Sequence, residues 1–184
     1  RLRELGVTHV LNCATELPNY HDDDDALTYL RLDWHDSPDE SVLVPLERAV
    51  AFIHGVLGDD DDGGGGGAVL VHCAAGISRS VTCVLAFLMA HRRASLRAAF
   101  EHVRACRPVA GPNAGYMRQL GELEVHLHGV DEPTLDAHAY TCAQLEEFGF
   151  AARAVRRAVD ASDGRVQLAL NWLLAGMFAA ADDE

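Results

Sequence analysis

Lysine is absent from all 184 residues: the 15 basic side chains are every one Arg, set against 28 Asp and Glu for a formal net charge of −13. That balance argues against nucleic-acid binding as the main activity, because phosphate-backbone affinity is carried by many Lys and Arg contacts. A composition bias towards Ala, Gly and Arg accounts for the missing Lys, and it leaves no internal site for Lys acetylation or ubiquitin attachment. Long apolar runs are missing too. None reaches the roughly 18 to 20 residues needed to span a bilayer, so no membrane segment is expected. No signal-peptide pattern follows Arg1, and a chain lacking an initiator Met reads as a fragment. The five Cys (13, 73, 83, 106 and 142) show no CxxC pairing, so neither a disulfide framework nor a metal site is expected. Reduced cysteines in a cytoplasmic or nuclear compartment follow. The 49% of hydrophobic residues is ordinary for a packed globular protein.

The order of patterns predicts an α/β fold, a central, mostly parallel sheet flanked by helices. Val7–Cys13 reads as a buried strand, and Thr28–Trp34 as a second. Apolar residues at three- and four-residue spacing over Val42–Leu57 predict an amphipathic helix. The run Asp59–Gly67 reads as a surface loop. Ala68–His72 is a short continuous apolar run of the kind found in a central parallel strand. Helical patterns follow at Ser80–His91, Ser95–Cys106 and Ala114–His128, and His128–Asp136 reads as a linker. Beyond it, Ala139–Glu147, Ala151–Ala161 and Val166–Gly176 outline a small all-α three-helix bundle. The expected domains are residues 1–128 and 138–184, joined by 129–137.

One stretch concentrates chemistry: His72-Cys73-Ala74-Ala75-Gly76-Ile77-Ser78-Arg79-Ser80. A strand entering a helix through a tight loop aims several backbone N–H groups at one point, and the helix N-terminus adds partial positive charge. Gly76 permits a conformation that a side chain resists, and Arg79 can fork onto two phosphate oxygens. In that field the Cys73 thiol ionises below about pH 8.5, giving a nucleophile aimed at phosphorus. The departing oxygen needs a proton from a carboxylic acid elsewhere. Asp36 in LDWHDSPDES is the best-placed candidate, with Asp33 and Asp39 as competitors.

HCAAGISRS resembles the active-site loop of the dual-specificity subgroup of cysteine-dependent protein phosphatases, whose pattern is HCxxGxxRS. THVLNCATELPN is similar to the family's second-strand region. Tyr29 to Asp36 resembles its general-acid segment, and Arg107-Pro108 through Pro112-Asn113 its RPxxxPN turn. The resemblance implies phosphomonoester hydrolysis on phosphorylated proteins, through a cysteinyl-phosphate intermediate and with no cofactor. Cys73 would be the nucleophile and Arg79 the phosphoryl-stabilising residue. Asp36 would serve as acid and then base, and Ser80 as the thiolate's hydrogen-bond donor. It also implies that His72 holds the loop and lowers the thiol pKa, and that Asn113 steadies the loop. Residues 74–79 (Ala74, Ala75, Gly76, Ile77, Ser78, Arg79) would bind phosphate. Phosphoinositide-directed relatives carry Lys where Ala74 and Ala75 stand, and RNA-triphosphatase relatives end the loop in Asn-Arg-Thr, so AGISRS points to phospho-Tyr and phospho-Ser/Thr. The family's earlier strand and turn have no counterpart ahead of Leu5-Gly6, so the expected catalytic domain is shortened at its N-terminus. A scaffold that binds phosphorylated or ubiquitinated partners without turnover is the competing reading. Arg92, Arg93 and Arg97 could form a basic patch or a solvated helix face, and Cys13 could approach Cys73 closely enough for a disulfide. Cys83 and Cys106 read as core.

The last segment resembles a ubiquitin-associated domain, whose pattern is a helix, a Met-Gly-Phe loop, a second helix, then NVxxAxxWLL. Here Phe148, Gly149 and Phe150 stand for the loop, and Leu173 and Leu174 for the helix end, with Phe148 replacing Met and Arg165 replacing Asn. The resemblance implies ubiquitin or ubiquitinated proteins as partners.

Overall fold

The computed structural model describes residues 1–58, 67–162 and 164–181, the side chains of residues 177–181 excepted. The loop expected at Asp59–Gly67 therefore lies outside the described residues except for Gly67. Two compact units divide the chain at Thr134 and Leu135.

In the first unit, β1 (Val7–Asn12), β2 (Thr28–Arg31) and β3 (Ala68–His72) form a parallel sheet in the order β2-β1-β3. The registers align Asn12 with Arg31 on one side and with His72 on the other, so the C-terminal ends of all three strands lie together. Loops at that end of a parallel sheet are where sites form. Among the described strands β1 is central, with Val10 and Leu11 fully buried, whereas every residue of β3 is half-buried. Among the described strands Ala68–His72 lies on the outside, where its apolar run predicts a central strand. An edge strand covered by helices is as apolar as a central one.

Helices α1 (Leu43–Leu57), α2 (Arg79–Arg92), α3 (Leu96–Cys106) and α4 (Ala114–His128) complete this unit. Their N-termini show where local sequence stops being sufficient. Ser95 caps α3 locally, its hydroxyl accepting from the Ala98 N–H at 3.2 Å. Val42 offers α1 no side-chain cap, and Gln119 on α4 accepts the Val42 N–H at 2.9 Å instead. Buried Glu124 accepts the Leu96 N–H at 2.7 Å and the Thr134 N–H at 2.7 Å, tying α3, α4 and the end of this unit together.

The second unit contains α5 (Ala137–Glu147), α6 (Ala152–Ala161) and α7 (Val166–Ala181). Asp136 caps α5, accepting from the Ala139 N–H at 2.7 Å. Cys142, Leu145, Val155, Ala158, Val159, Ala169 and Leu173 share one core. No described helix is long and apolar enough to cross a membrane.

Candidate active site

The chain leaves β3 at His72 and turns through Cys73–Ser78 onto α2. Every carbonyl in such a turn must find a partner or stay in water. Here three consecutive carbonyls are claimed from one side. Arg107 donates through Nε to the Gly76 carbonyl at 2.7 Å and through Nη2 to that of Ala75 at 3.1 Å, and the Gly111 N–H donates to Ile77 at 2.9 Å. With those carbonyls held away, the backbone at Gly76, Ile77 and Ser80 favours the charged form of the Cys73 sulfur. Gly76 sits at φ +65°, and a Cβ there would also strike the Arg107 guanidinium. The RPxxxPN turn therefore supplies the clamp that shapes the loop. In the sequence Arg107 stands out only as part of that pattern.

Cys73 is buried, and its Sγ lies 3.3 Å from the Ser80 hydroxyl. Burial pushes the thiol pKa up, but the hydrogen bonds from the Ser80 hydroxyl and from the Ser80, Gly76 and Ile77 N–H groups outweigh it, and the pKa is lowered. The shift thus comes from Ser80 and the loop backbone. His72, expected to help lower it, ends β3, where its carbonyl accepts the Cys13 N–H at 2.8 Å.

Arg79, 4% exposed, projects from the first turn of α2. Its Nη1 and Nη2 bond the two carboxylate oxygens of Glu16 at 2.7 and 2.6 Å, and Nη1 also donates to the Trp34 carbonyl at 2.9 Å. The bonds from Arg79 hold the Glu16 pKa down at about 2. A guanidinium has five N–H donors, so these three bonds leave Nε–H and one Nη2 hydrogen. They form the side edge of the fork. Nε is buried and has no hydrogen-bond partner among the described residues, and that edge matches two oxygens of a phosphoryl group. In the sequence Glu16 sits in the loop after β1 and carries no local signal of its role.

Asp36 lies beside the loop. Its Oδ1 accepts from the Ser78 hydroxyl at 2.8 Å and from Asn113 Nδ2 at 2.9 Å, and its Oδ2 faces Arg79 Nε at 3.7 Å. Of its competitors, Asp33 pairs with Arg31 at 3.1 Å, and Asp39 is exposed. Asn113 connects several parts: its Oδ1 caps α4 at the Tyr116 N–H, and its own N–H donates to the Ser78 hydroxyl at 3.1 Å. Behind Asp36, the Tyr116 hydroxyl donates to the His35 carbonyl. Burial, then the Asp36 charge, pushes the tyrosine pKa up, so it stays a donor. A Cβ on Gly115 would collide with the Pro38 carbonyl, so the Asp36 segment seats on α4 only because that position is glycine.

Ala74, Ala75 and Ile77 are exposed at the loop surface, while Ser78 and Ser80 are buried. Other expected arrangements differ. The thiol facing Cys13 is that of Cys83, 3.6 Å away with both fully buried. Cys106 is exposed rather than core, because it falls on the outer face of the last turn of α3. Arg92 stacks over Phe87 and Arg97 donates to the Thr134 carbonyl, so these arginines are engaged separately. In the second unit Phe148 is 75% exposed, Gly149 adopts φ +91°, and Phe150 packs on the core. Leu174 is exposed, but Leu173 is only 4% exposed and belongs to the core, not to a docking surface. Successive residues of a helix point about 100° apart, and here that turn carries Leu173 into the core and Leu174 outward.

Residues 1–126 match the family model for the dual specificity phosphatase catalytic domain. Dual specificity protein phosphatase 1 of Arabidopsis thaliana is 40% identical over 131 residues, covering 71% of this chain and 62% of that protein. Dual specificity protein phosphatase 26 of Bos taurus is 40% identical over 130 residues, covering 68% and 58%. The chain therefore spans less than two thirds of these relatives' length. The crystal structure of human DUSP28 superposes with a TM-score of 0.61 at 35% identity, covering 70% of this chain and 84% of that one.

Proposed function

The chain belongs to the dual-specificity phosphatase catalytic-domain family, and from that premise we propose that it hydrolyses phospho-Tyr and phospho-Ser/Thr in proteins through a cysteinyl-phosphate intermediate. The observation that carries this reading is the open side edge of Arg79 beside a thiol whose pKa the loop lowers. The Cys73 thiolate attacks phosphorus as the ester P–O bond breaks, and Asp36 protonates the departing oxygen. Water then attacks phosphorus, Asp36 takes its proton, and the P–S bond breaks to release inorganic phosphate. Ser80 donates to the sulfur as it regains its charge. The loop N–H groups and Arg79 hold the phosphoryl oxygens where negative charge builds.

Turnover of an aryl phosphate by wild type and by Cys73→Ser tests this. A loss of roughly 10⁴-fold or more is expected for a missing nucleophile. Absence of turnover from wild type leaves the scaffold reading in place, and turnover that survives the substitution overturns the cysteinyl-phosphate route. Incubating Cys73→Ser with phosphoproteins and identifying what it retains would define the substrates.

A second reading concerns the helices after Leu135. Exposed Phe148 beside Gly149, with Leu174 also exposed, supports a ubiquitin-binding face, now without Leu173. An NMR titration with ubiquitin should shift Phe148, Gly149 and Leu174. Resonances that stay in place would remove the assignment.

A further inference from the structure

Arg79 stands between two carboxylates that it meets differently. Glu16 takes the end edge of the guanidinium at 2.6 and 2.7 Å, while Asp36 Oδ2 lies 3.7 Å from Nε on the side edge. The first is a close two-bond pair; the second is too long for a hydrogen bond. A long flexible Arg beside a free carboxylate pairs with it readily, and Arg–carboxylate pairs prefer the two-bond form. A guanidinium that settled onto Asp36 would bury its side edge and occupy the proposed acid at once. Two contacts oppose this: Glu16, and the Trp34 carbonyl on Nη1 at 2.9 Å. Glu16 has the better geometry and the charge. Its own loop is anchored by buried Asn12, whose Nδ2 donates to the Leu17 carbonyl at 3.0 Å and to Asn19 Oδ1 at 3.2 Å. The pair is thus fixed at both ends, by α2 and by the turn after β1.

We propose that Glu16 is a positioning residue for phosphate capture: by holding the end edge of Arg79 it keeps the guanidinium off Asp36 and leaves the side edge for two phosphoryl oxygens. This rests on the phosphatase reading and adds a second carboxylate with its own role. Glu16 need not touch substrate. It acts through Arg79, and it separates the phosphate-binding residue from the proton donor so that one does not consume the other.

A double-mutant cycle between Glu16→Ala and Asp36→Asn tests it, read as competitive inhibition by inorganic phosphate and as KM and kcat for an aryl phosphate. Glu16→Ala should weaken phosphate inhibition about tenfold and raise KM more than it lowers kcat, as expected from losing a charge-assisted pair. In wild type, Asp36→Asn should change phosphate inhibition less than about threefold. In the Glu16→Ala background the same change should recover most of the lost affinity, because Arg79 no longer has a carboxylate to settle on. A merely structural Glu16 would show no such rescue. Glu16→Gln keeps the shape and serves in the same cycle if the alanine variant does not fold. Unchanged phosphate inhibition in both Glu16 variants, or an equal effect of Asp36→Asn in both backgrounds, overturns the proposal. Turnover that persists in Cys73→Ser overturns the phosphatase reading instead, and that result is independent of the cycle.

Discussion

Around Cys73, the carbonyls of Ala75, Gly76 and Ile77 are claimed one by one by Arg107 and Gly111, and a buried arginine is fixed by Glu16 and Trp34. The helices after Leu135 instead close on Cys142, Leu145, Val155, Ala158, Val159, Ala169 and Leu173, apart from local caps such as Asp136. The first region depends on direction. Each partner must sit at a particular angle, so single changes should strike chemistry before stability. The second depends on volume. Its single changes should strike stability and leave the chemistry alone.

The sharpest way to break that contrast is Asp36→Asn. It keeps the shape but removes the proton, so turnover should fall roughly 10²- to 10³-fold, with the melting temperature little changed. An unaltered rate would pass the acid role to another carboxylate. Arg107→Ala comes next. It frees two loop carbonyls without touching substrate, and a rate loss of about tenfold is expected from relaxed loop geometry. Because loop N–H groups lower the Cys73 pKa, a relaxed loop lets it rise. The proposed nucleophile is the thiolate, so the acid limb of the rate profile should move to higher pH in Arg107→Ala. Iodoacetamide alkylation of Cys73 across pH checks this, and coincident profiles would show that Arg107 does not shape the loop. The smallest effect on rate belongs to Leu145→Ala. It should destabilise the C-terminal unit by about 2 to 5 kcal/mol through the cavity it leaves, while aryl phosphate turnover stays at the wild-type level. A matching loss of turnover would mean that the two units do not act as separate compact bodies.

Legibility in the sequence followed the distance between partners. The segment from His72 to Ser80 carries its chemistry in consecutive residues, so Cys73, Arg79 and Ser80 could be named before any contact was known. Asp36 stood out because a proton donor was required and few carboxylates lay near a strand end. Glu16 gave no such signal: it meets Arg79 across 63 positions of chain, and a single Glu in a loop is ordinary. Gly115 was silent for the same reason, since only Pro38 packing against it explains the absence of a side chain. Leu173 and Leu174 looked equivalent as neighbours in a motif, and helical geometry separated them.

The amino-acid sequence by itself determined the alternation of strands and helices, the strand-to-helix loop with its cysteine, and the family to which that loop belongs. These are written in local periodicity and in one contiguous run of residues. Only the tertiary structure decided that β1 lies between β2 and β3, that Cys13 faces Cys83, and that Arg79 keeps one edge free because Glu16 holds the other. Those outcomes depend on which distant groups meet when buried polar atoms must be satisfied, and a linear pattern carries no record of that choice.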